Sequence, residues 1–307
     1  MKVSTDSING ITILIAENDY LKCIIVPALG GKLLSVYNKE LQKEFLWTNQ
    51  HLPLVVNEPG AEYDPNFLGG IDELIPNDIP ENIDGIDYPD HGELWTTPLD
   101  YVIKDNTIIL SGVLPLSQLY YSKTIKLDIA SPTIHLAYTI RNQSASIKHF
   151  LWKLHAALAI EKNDTLITSA SKAKVVDAAY SRFSDTNEFG WPTIEQTNAS
   201  IVPEKNNSMD FFFLYDTPVA EMAMRSSNDH HEFRYTYDKN IFPYQWYFAS
   251  YGGFLDHYTA ILEPSTAMPL SVNDAKALNQ CSVLQPNEEV RTTVQIYAGI
   301  NQTVMPS

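Results

Sequence analysis

Glu263 is the leading candidate for a catalytic residue, because its neighbours in the sequence favour a carboxylate that accepts a proton. It follows the stretch Tyr-Thr-Ala-Ile-Leu that begins at Tyr258, and it is flanked by Leu262 and Pro264. Proline disfavours helical backbone in the residue before it, so we expect a strand over residues 258–262 with Glu263 at its end. Poor solvation raises the pKa of a carboxyl group, which makes its carboxylate a stronger proton acceptor near neutral pH than that of an ordinary glutamate. From spacing alone, Glu263 could equally be a structural acid that caps a neighbouring loop.

Residues 149–160 predict one strand with two different faces. One face is wholly apolar, whereas the other carries His149, Lys153 and His155 beside small alanines. A polar face with room above it is typical of the floor of a cleft. An imidazole acid on this floor and a carboxylate base at its rim are complementary partners for proton transfer. The structural alternatives are a satisfied histidine and a solvated lysine on the face of a sheet.

Residues 57–98 are irregular and contain a third candidate. Prolines, glycines and acids crowd this segment, so we expect no long regular element in it. A loop of about forty residues inside a compact domain is more often functional than filler. It carries His91 in an Asp-His-Gly-Glu stretch, although that composition also suits a plain turn. The acids between Asp72 and Asp90 do not have the spacing of an EF-hand-type calcium loop, so we predict no metal site.

Period-two alternation elsewhere predicts the strands that position these residues. The pattern favours an all-β fold, with large antiparallel sheets forming a sandwich or wide barrel over residues 1–307 as a single domain. We expect one short helix, over residues 271–279. The predicted strands cover residues 10–17, 20–26, 32–37, 107–114, 121–129, 133–141, 210–215, 219–225, 232–237, 244–251 and 290–300.

Composition excludes several classes of partner. The net charge of −16 argues against nucleic acid and against an anionic membrane surface, since both attract clustered Lys and Arg. Seventeen Tyr, twelve Phe and five Trp suit pleated sheets and the apolar faces of sugars. Cys23 and Cys281 are predicted to be unpaired thiols of a cytoplasmic protein, because no apolar run has the length of a signal peptide or membrane span.

Four stretches together resemble the aldose 1-epimerase (galactose mutarotase)-like family. They are LWKLHAALAI around His155, YPDHGELW around His91, TAILEPSTAMP around Glu263, and the C-terminal QPNEEVRTTVQIYAGI. The resemblance spans nearly the whole chain and implies a β-supersandwich with a sugar cleft on one concave sheet. It also implies an isomerase that interconverts the anomers of a small-molecule sugar without a cofactor. In this scheme Glu263 is the general base, His155 is the general acid, and His91 binds sugar hydroxyls.

The chain departs from the family pattern in the stretch NFLGGIDELIPN. Classical galactose mutarotases carry an arginine after the glycine-rich turn, whereas this chain has Asp72 and Glu73. Acids in place of a cationic donor would change which hydroxyls are recognised, so we expect both residues to contact the sugar and leave its identity open. Lys153 lies on the same face as His155 and is expected to replace the missing donor. Its charge would also lower the pKa of His155.

The remaining candidates are aromatic and acidic residues. We expect Trp246 to be a stacking platform for the sugar, with Trp95 and Tyr247 as further candidates. Asp238 and Asp256 are the two candidates for the family's sugar-binding aspartate.

Two other functions stay open at this point. One is a non-catalytic carbohydrate-binding protein of the same fold, and the other is a glycoside hydrolase or lyase. The latter requires Glu93 and Glu263 to lie about 5–10 Å apart across a bond. Few Lys and Arg lie near the motifs, which disfavours a sugar phosphate. The sequence leaves open whether the protein forms a homodimer.

Overall fold

Two large antiparallel sheets share one hydrophobic core in the computed structural model, which describes residues 1–228 and 230–301. In sheet order, the twelve-stranded sheet consists of β1 (Lys2–Ile8), β2 (Ile11–Glu17), β3 (Leu21–Val26), β4 (Lys32–Asn38), β6 (Ile71–Leu74), β14 (Lys153–Ala159), β24 (Tyr258–Ser265), β23 (Tyr244–Tyr251), β20 (Ser208–Tyr215), β16 (Lys172–Val175) and β17 (Glu188–Gly190), with β5 (Lys43–Glu44) beside β4. The eight-stranded sheet consists of β15 (Thr165–Thr168), β21 (Glu221–Arg225), β22 (His231–Tyr237), β26 (Glu289–Ile300), β12 (Thr133–Asn142), β11 (Leu119–Leu127), β10 (Thr107–Val113) and β9 (Asp100–Lys104).

Short elements complete the fold. Three two-stranded ribbons pair β7 (Glu81–Ile83) with β8 (Ile86–Tyr88), β13 (Lys148–Phe150) with β25 (Ser282–Leu284), and β18 (Thr193–Ile194) with β19 (Thr197–Asn198). The predicted helix is present as α1 (Val272–Ala277), and the side chain of Ser271 caps it by accepting from the Asp274 N–H. The all-β prediction with large antiparallel sheets and few short helices is therefore confirmed.

The other expected strands end within two residues of the observed ones, whereas two near the candidate site differ in a way that matters. The strand expected over residues 149–160 is divided into β13 and β14, because the two residues between them donate their backbone N–H groups to partners outside any strand pairing. Leu151 donates to the carbonyl of Pro76, and Trp152 donates to the hydroxyl of Thr266. The strand expected over residues 258–262 instead runs on as β24 through Ser265. It stays in register with β23 throughout, whereas Glu263 and Pro264 have no ladder partner on β14.

The irregular segment 57–98 contains a central strand that alternation did not predict. All four residues of β6 are buried between β4 and β14, including Asp72 and Glu73. Each acid is buried because a lysine from elsewhere in the fold neutralises it. Lys32 Nζ lies 2.5 Å from Oδ2 of Asp72, and Lys123 Nζ lies 2.6 Å from Oε1 of Glu73.

The Glu73–Lys123 pair lies in the core between the two sheets. Lys123 extends from β11 and has no exposed surface, and the Tyr138 hydroxyl donates to Glu73 across 2.7 Å. A charge buried in this way is stable only with its partner, since an isolated buried ion loses its hydration without compensation. Glu73 therefore helps to join the sheets, and this position does not fit the expectation that it contacts a sugar.

The residues that the structure describes contain neither a membrane-spanning helix nor a disulfide. Within residues 1–228 and 230–301, no helix has both the length and the apolar character that a membrane crossing requires. Cys23 and Cys281 are both free thiols, as predicted.

We expect Lys123→Met to lower the free energy of unfolding by about 3–5 kcal/mol, because it leaves Glu73 buried without a cation. Urea unfolding followed by tryptophan fluorescence measures this change. The double variant Glu73→Gln/Lys123→Met should lose less than the single variant, since no unpaired charge remains. Lys162→Met is the control, because its pair with Glu204 is exposed to solvent and is expected to contribute little to stability. Equal losses for Lys123→Met and Lys162→Met would contradict this account.

Candidate active site

A cavity of about 240 Å³ lies over the larger sheet, above β14, β24, β23 and β20. It is lined by His91, Lys153, His155 and Glu263, so the structure brings these predicted site residues together. Aromatic residues form much of the remaining wall, chiefly Tyr63, Phe67, Phe211, Phe248 and Phe254.

Strand register explains why the two proton-transfer candidates are neighbours. In the antiparallel pair of β14 and β24, Lys153 lies opposite Ser265 and Ala156 lies opposite Leu262. Carried across the two positions that are not paired in the ladder, this register places His155 opposite Glu263. Directly opposed residues point to the same face, with Cβ atoms about 4.5–5.5 Å apart. The floor of the cavity therefore presents an imidazole and a carboxyl group side by side.

One ammonium group lies between two carboxylates on this floor. Lys153 Nζ is 2.5 Å from Oε2 of Glu263 and 2.5 Å from Oδ1 of Asp78. It also lies 4.6 Å from the ring centroid of Trp246. Lys153, Asp78 and Glu263 are all buried. Asp78 was missed in the sequence, where its only signal is its place in an irregular segment of the kind that is often functional.

Burial and ion pairing have opposite effects on the pKa values of Glu263 and Lys153. Burial raises the pKa of Glu263, and Lys153 opposes that rise while the charge of Asp78 adds to it. Burial disfavours the charge of Lys153, but the two carboxylates outweigh it and raise the lysine pKa. The raised pKa of Lys153 favours its charged form, and this ammonium group opposes the effect of burial on Glu263.

His155 is held in its neutral form. Burial is the largest cause that lowers its pKa well below the usual range, and the charge of Lys153 adds to it as expected from the sequence. The rings of Tyr63 and Phe67 contact His155 edge-on, with centroid distances of 5.9 and 5.5 Å. The Tyr63 hydroxyl lies 3.5 Å from Nδ1 of His155 and donates to Asp72 across 3.1 Å.

A tight turn holds His91 over the floor. Its backbone N–H donates to the carbonyl of Asp78 across 2.8 Å, and its ring stacks on Tyr63 at a centroid distance of 4.0 Å. The turn requires glycine at residue 92, where φ is +73° and a Cβ atom would lie 2.2 Å from the carbonyl oxygen of Ile75. The turn and this hydrogen bond therefore place His91 and Asp78 next to each other in the wall of the cavity.

Several other predicted contacts do not line the cavity. Asp72 lies behind Tyr63 in its pair with Lys32, Glu73 is in the core, and Trp246 is buried beneath Lys153. Their positions do not fit direct contact with a sugar, although Asp72 and Trp246 support residues that do face the cavity. The other residues that sequence reasoning raised and that do not line this cavity are Glu93, Trp95, Asp238, Tyr247 and Asp256.

Glu93 and the two aspartate candidates have other surroundings. Glu93 accepts from the backbone N–H groups of Leu116 and Ser117 at 2.6 and 2.9 Å. Asp238 is exposed, and Asp256 forms an exposed pair with Lys205. The aspartates that line the cavity are instead Asp64, Asp78 and Asp177.

One group near the cavity has ligand types that metals use. Single ligand atoms of Asp64, Asp90 and His91 lie within 4.8 Å of one another. Nδ1 of His91 is 3.0 Å from Oδ1 of Asp90, and this contact by itself accounts for much of the clustering. We therefore do not infer a metal site from these three residues.

We expect the stability of the protein to fall as the pH decreases below about 6.5, in part because of His155. Its pKa is lower in the folded than in the unfolded chain, so the unfolded chain binds more protons below that pH. His155→Asn removes this contribution, and its free energy of unfolding should fall less steeply between about pH 6.5 and 5. Urea unfolding of both proteins across this range measures the difference. Equal pH slopes would contradict the lowered pKa.

Comparison with known proteins supports the fold. No protein-family model matches the chain. The Slr1438 protein from Synechocystis sp. PCC 6803 is 13% identical, with a TM-score of 0.74 over 98% of this chain and 100% of that one. A candidate aldose 1-epimerase from Klebsiella pneumoniae is 14% identical, with a TM-score of 0.73 over 96% and 81%. A galactose mutarotase-like protein from Clostridium acetobutylicum is 14% identical, with a TM-score of 0.72 over 98% and 99%. The chain therefore has the fold of galactose mutarotase-like proteins.

Proposed function

We propose that the protein is an aldose 1-epimerase-like mutarotase, an isomerase that interconverts the α and β anomers of a sugar. The observation that supports this most directly is that Glu263 and His155 line one cavity from the adjacent strands β24 and β14. A base and an acid on adjacent strands can reach the anomeric hydroxyl and the ring oxygen, which are attached to the same sugar carbon. The fold shared with galactose mutarotase-like proteins agrees with this function.

Ring opening requires two proton transfers. Glu263 takes the proton of the anomeric hydroxyl while protonated His155 gives a proton to the ring oxygen, and the ring opens to an aldehyde. Rotation about the C1–C2 bond followed by closure on the other face inverts the anomeric centre, with acid and base exchanging roles. Each transfer of this kind contributes about 10²–10⁴-fold. No cofactor or covalent intermediate is needed.

Burial assists the opening step in a specific way. The carboxylate and imidazolium that begin the step become a neutral carboxyl and a neutral imidazole, which a buried site favours. The imidazolium is therefore the scarce form at neutral pH. Lys153 favours the anionic form of Glu263, because its ammonium lies 2.5 Å from a carboxylate oxygen of Glu263 and 2.5 Å from one of Asp78.

The charge of the cavity indicates an uncharged aldose as substrate. Its lining contributes four carboxylates, from Asp64, Asp78, Asp177 and Glu263, against the single ammonium of Lys153. That ammonium is already paired with two of the carboxylates. A sugar that carries a phosphate or carboxylate group would find no further lysine or arginine in this lining to bind that group. Phosphate sites are normally built from Arg or from a helix N-terminus.

One specific observation favours a second candidate, a non-catalytic carbohydrate-binding protein. Lys153 already neutralises Glu263, and burial keeps His155 without a proton at neutral pH. Both features reduce the readiness of the pair for chemistry while leaving a cavity that binds a sugar. Sugar binding with no change in the anomerisation rate would select this alternative. The glycoside hydrolase reading loses its support, because Glu93 does not line the cavity.

We expect the protein to accelerate the anomerisation of at least one freshly dissolved aldose, measured by polarimetry or by proton exchange spectroscopy. Glu263→Gln keeps the shape of the site but removes the base, so the rate should fall by about 10²–10⁴-fold without unfolding. Glu204→Gln, on an exposed side chain that does not line the cavity, is the control and should keep the full rate. No acceleration over buffer for any aldose in a broad panel would refute the mutarotase.

We also expect glucose and galactose to be favoured over their 6-phosphates and uronic acids, because the cavity carries an excess of negative charge. Competition experiments with each neutral and anionic pair measure this difference, either as inhibition of anomerisation or as displacement of a bound sugar. Asp177→Asn removes one carboxylate from the lining and should reduce the discrimination. Equal or tighter binding of the anionic members would contradict the charge argument.

A further inference from the structure

Strand β9 forms an edge of the eight-stranded sheet and exposes apolar residues on both faces. The exposed fractions of Tyr101, Val102 and Ile103 are 40%, 58% and 41%. Within residues 1–228 and 230–301, no other three consecutive large apolar residues are all exposed to this degree. An exposed apolar edge is a template for pairing with another strand, and proteins normally protect it with charges, bulges, short strands or covering segments.

The other sheet edges are protected in these ways. Strand β1 is mostly polar, β17 has only three residues, and β15 is bridged by Ile201 through Thr165. Strand β9 pairs with β10 on one side only. On its other side, the part of the chain that the structure describes provides no backbone hydrogen-bond partner for residues 100–104.

The sequence of β9 is complementary to itself. It reads Asp-Tyr-Val-Ile-Lys, with Val102 at its centre and opposite charges at its two ends. In an antiparallel pair of two copies centred on Val102, Asp100 of each copy lies opposite Lys104 of the other. Tyr101 lies opposite Ile103 in the same arrangement. A parallel pair in the same register would instead place like charges opposite each other, which is destabilising.

We propose that β9 is the contact of a homodimer, in which two copies join their eight-stranded sheets edge to edge about a two-fold axis. Such an isologous contact is closed, so it yields a dimer and no filament. It provides partners for the outward backbone groups of both copies and covers the apolar residues on each face. The cavity lies over the other sheet and none of its lining residues belongs to β9, so both cavities stay open in the dimer.

The contact is small, and the dimer is therefore reversible. Five residues on each side bury less surface than a standard interface, which places this contact in the class of weak or transient assemblies. The negative net charge of each copy also opposes association. The dimer should accordingly increase with protein concentration and with moderate salt, up to the point where salt screens the terminal ion pairs.

Sedimentation velocity of the full chain over a concentration series tests the dimer. We expect a monomer–dimer equilibrium for the natural sequence and a monomer for Val102→Lys, which places two ammonium groups opposite each other at the two-fold axis. Cooperative thermal unfolding shows that the variant is folded, and faster amide exchange over residues 100–104 locates the change. A natural chain that stays monomeric up to its solubility limit would overturn the proposal.

A charge exchange tests the register. Asp100→Lys and Lys104→Asp each convert two opposite-charge pairs into like-charge pairs, so each should weaken the dimer by about tenfold or more. The double variant Asp100→Lys/Lys104→Asp restores opposite charges in the antiparallel register and should recover the original dissociation constant to within about threefold. Asp6→Lys is the matched control, since it makes the same charge change on the polar edge strand β1. A double variant as weak as the single ones, or an equal loss for Asp6→Lys, would overturn this pairing.

Discussion

The placement of Lys153 between Asp78 and Glu263 is the interaction on which the candidate site depends. Removing charged groups from water costs several kcal/mol each, and the cost is recovered only when opposite charges meet with good geometry. Here three elements must converge to achieve this: strand β14, strand β24, and the irregular segment that carries Asp78. The ion group is therefore both a structural constraint and the electrostatic centre of the cavity.

Buried lysines match buried acids at two further places near β6. Lys32 pairs with Asp72 behind Tyr63, and Lys123 pairs with Glu73 between the sheets. Polar residues at the centre of a sheet are tolerated only in such a network, because removing either partner leaves an uncompensated charge. This arrangement holds a short strand in the middle of the larger sheet and with it the aromatic wall that surrounds His155.

Burial favours the neutral form of both proton-transfer groups, Glu263 and His155. It raises the pKa of Glu263 and lowers that of His155, so both changes favour the neutral forms. Lys153 acts against the first change and with the second. The charge of Lys153 and the low polarity of the cavity therefore oppose each other at Glu263 and act together at His155.

The amino-acid sequence by itself determined the all-β class, most strand positions, and the common face of Lys153 and His155, because alternation with a period of two is a local property. It also predicted that the irregular residues 57–98 contribute to a functional site, although it did not single out Asp78. Only the tertiary structure decided that Asp72 and Glu73 are buried and that β6 is a central strand. Their lysine partners lie 40 and 50 positions away in the chain, so no local pattern shows that the charges are neutralised. The same holds for the cavity, since its floor is formed by strands that are distant in sequence and adjacent only in the folded sheet.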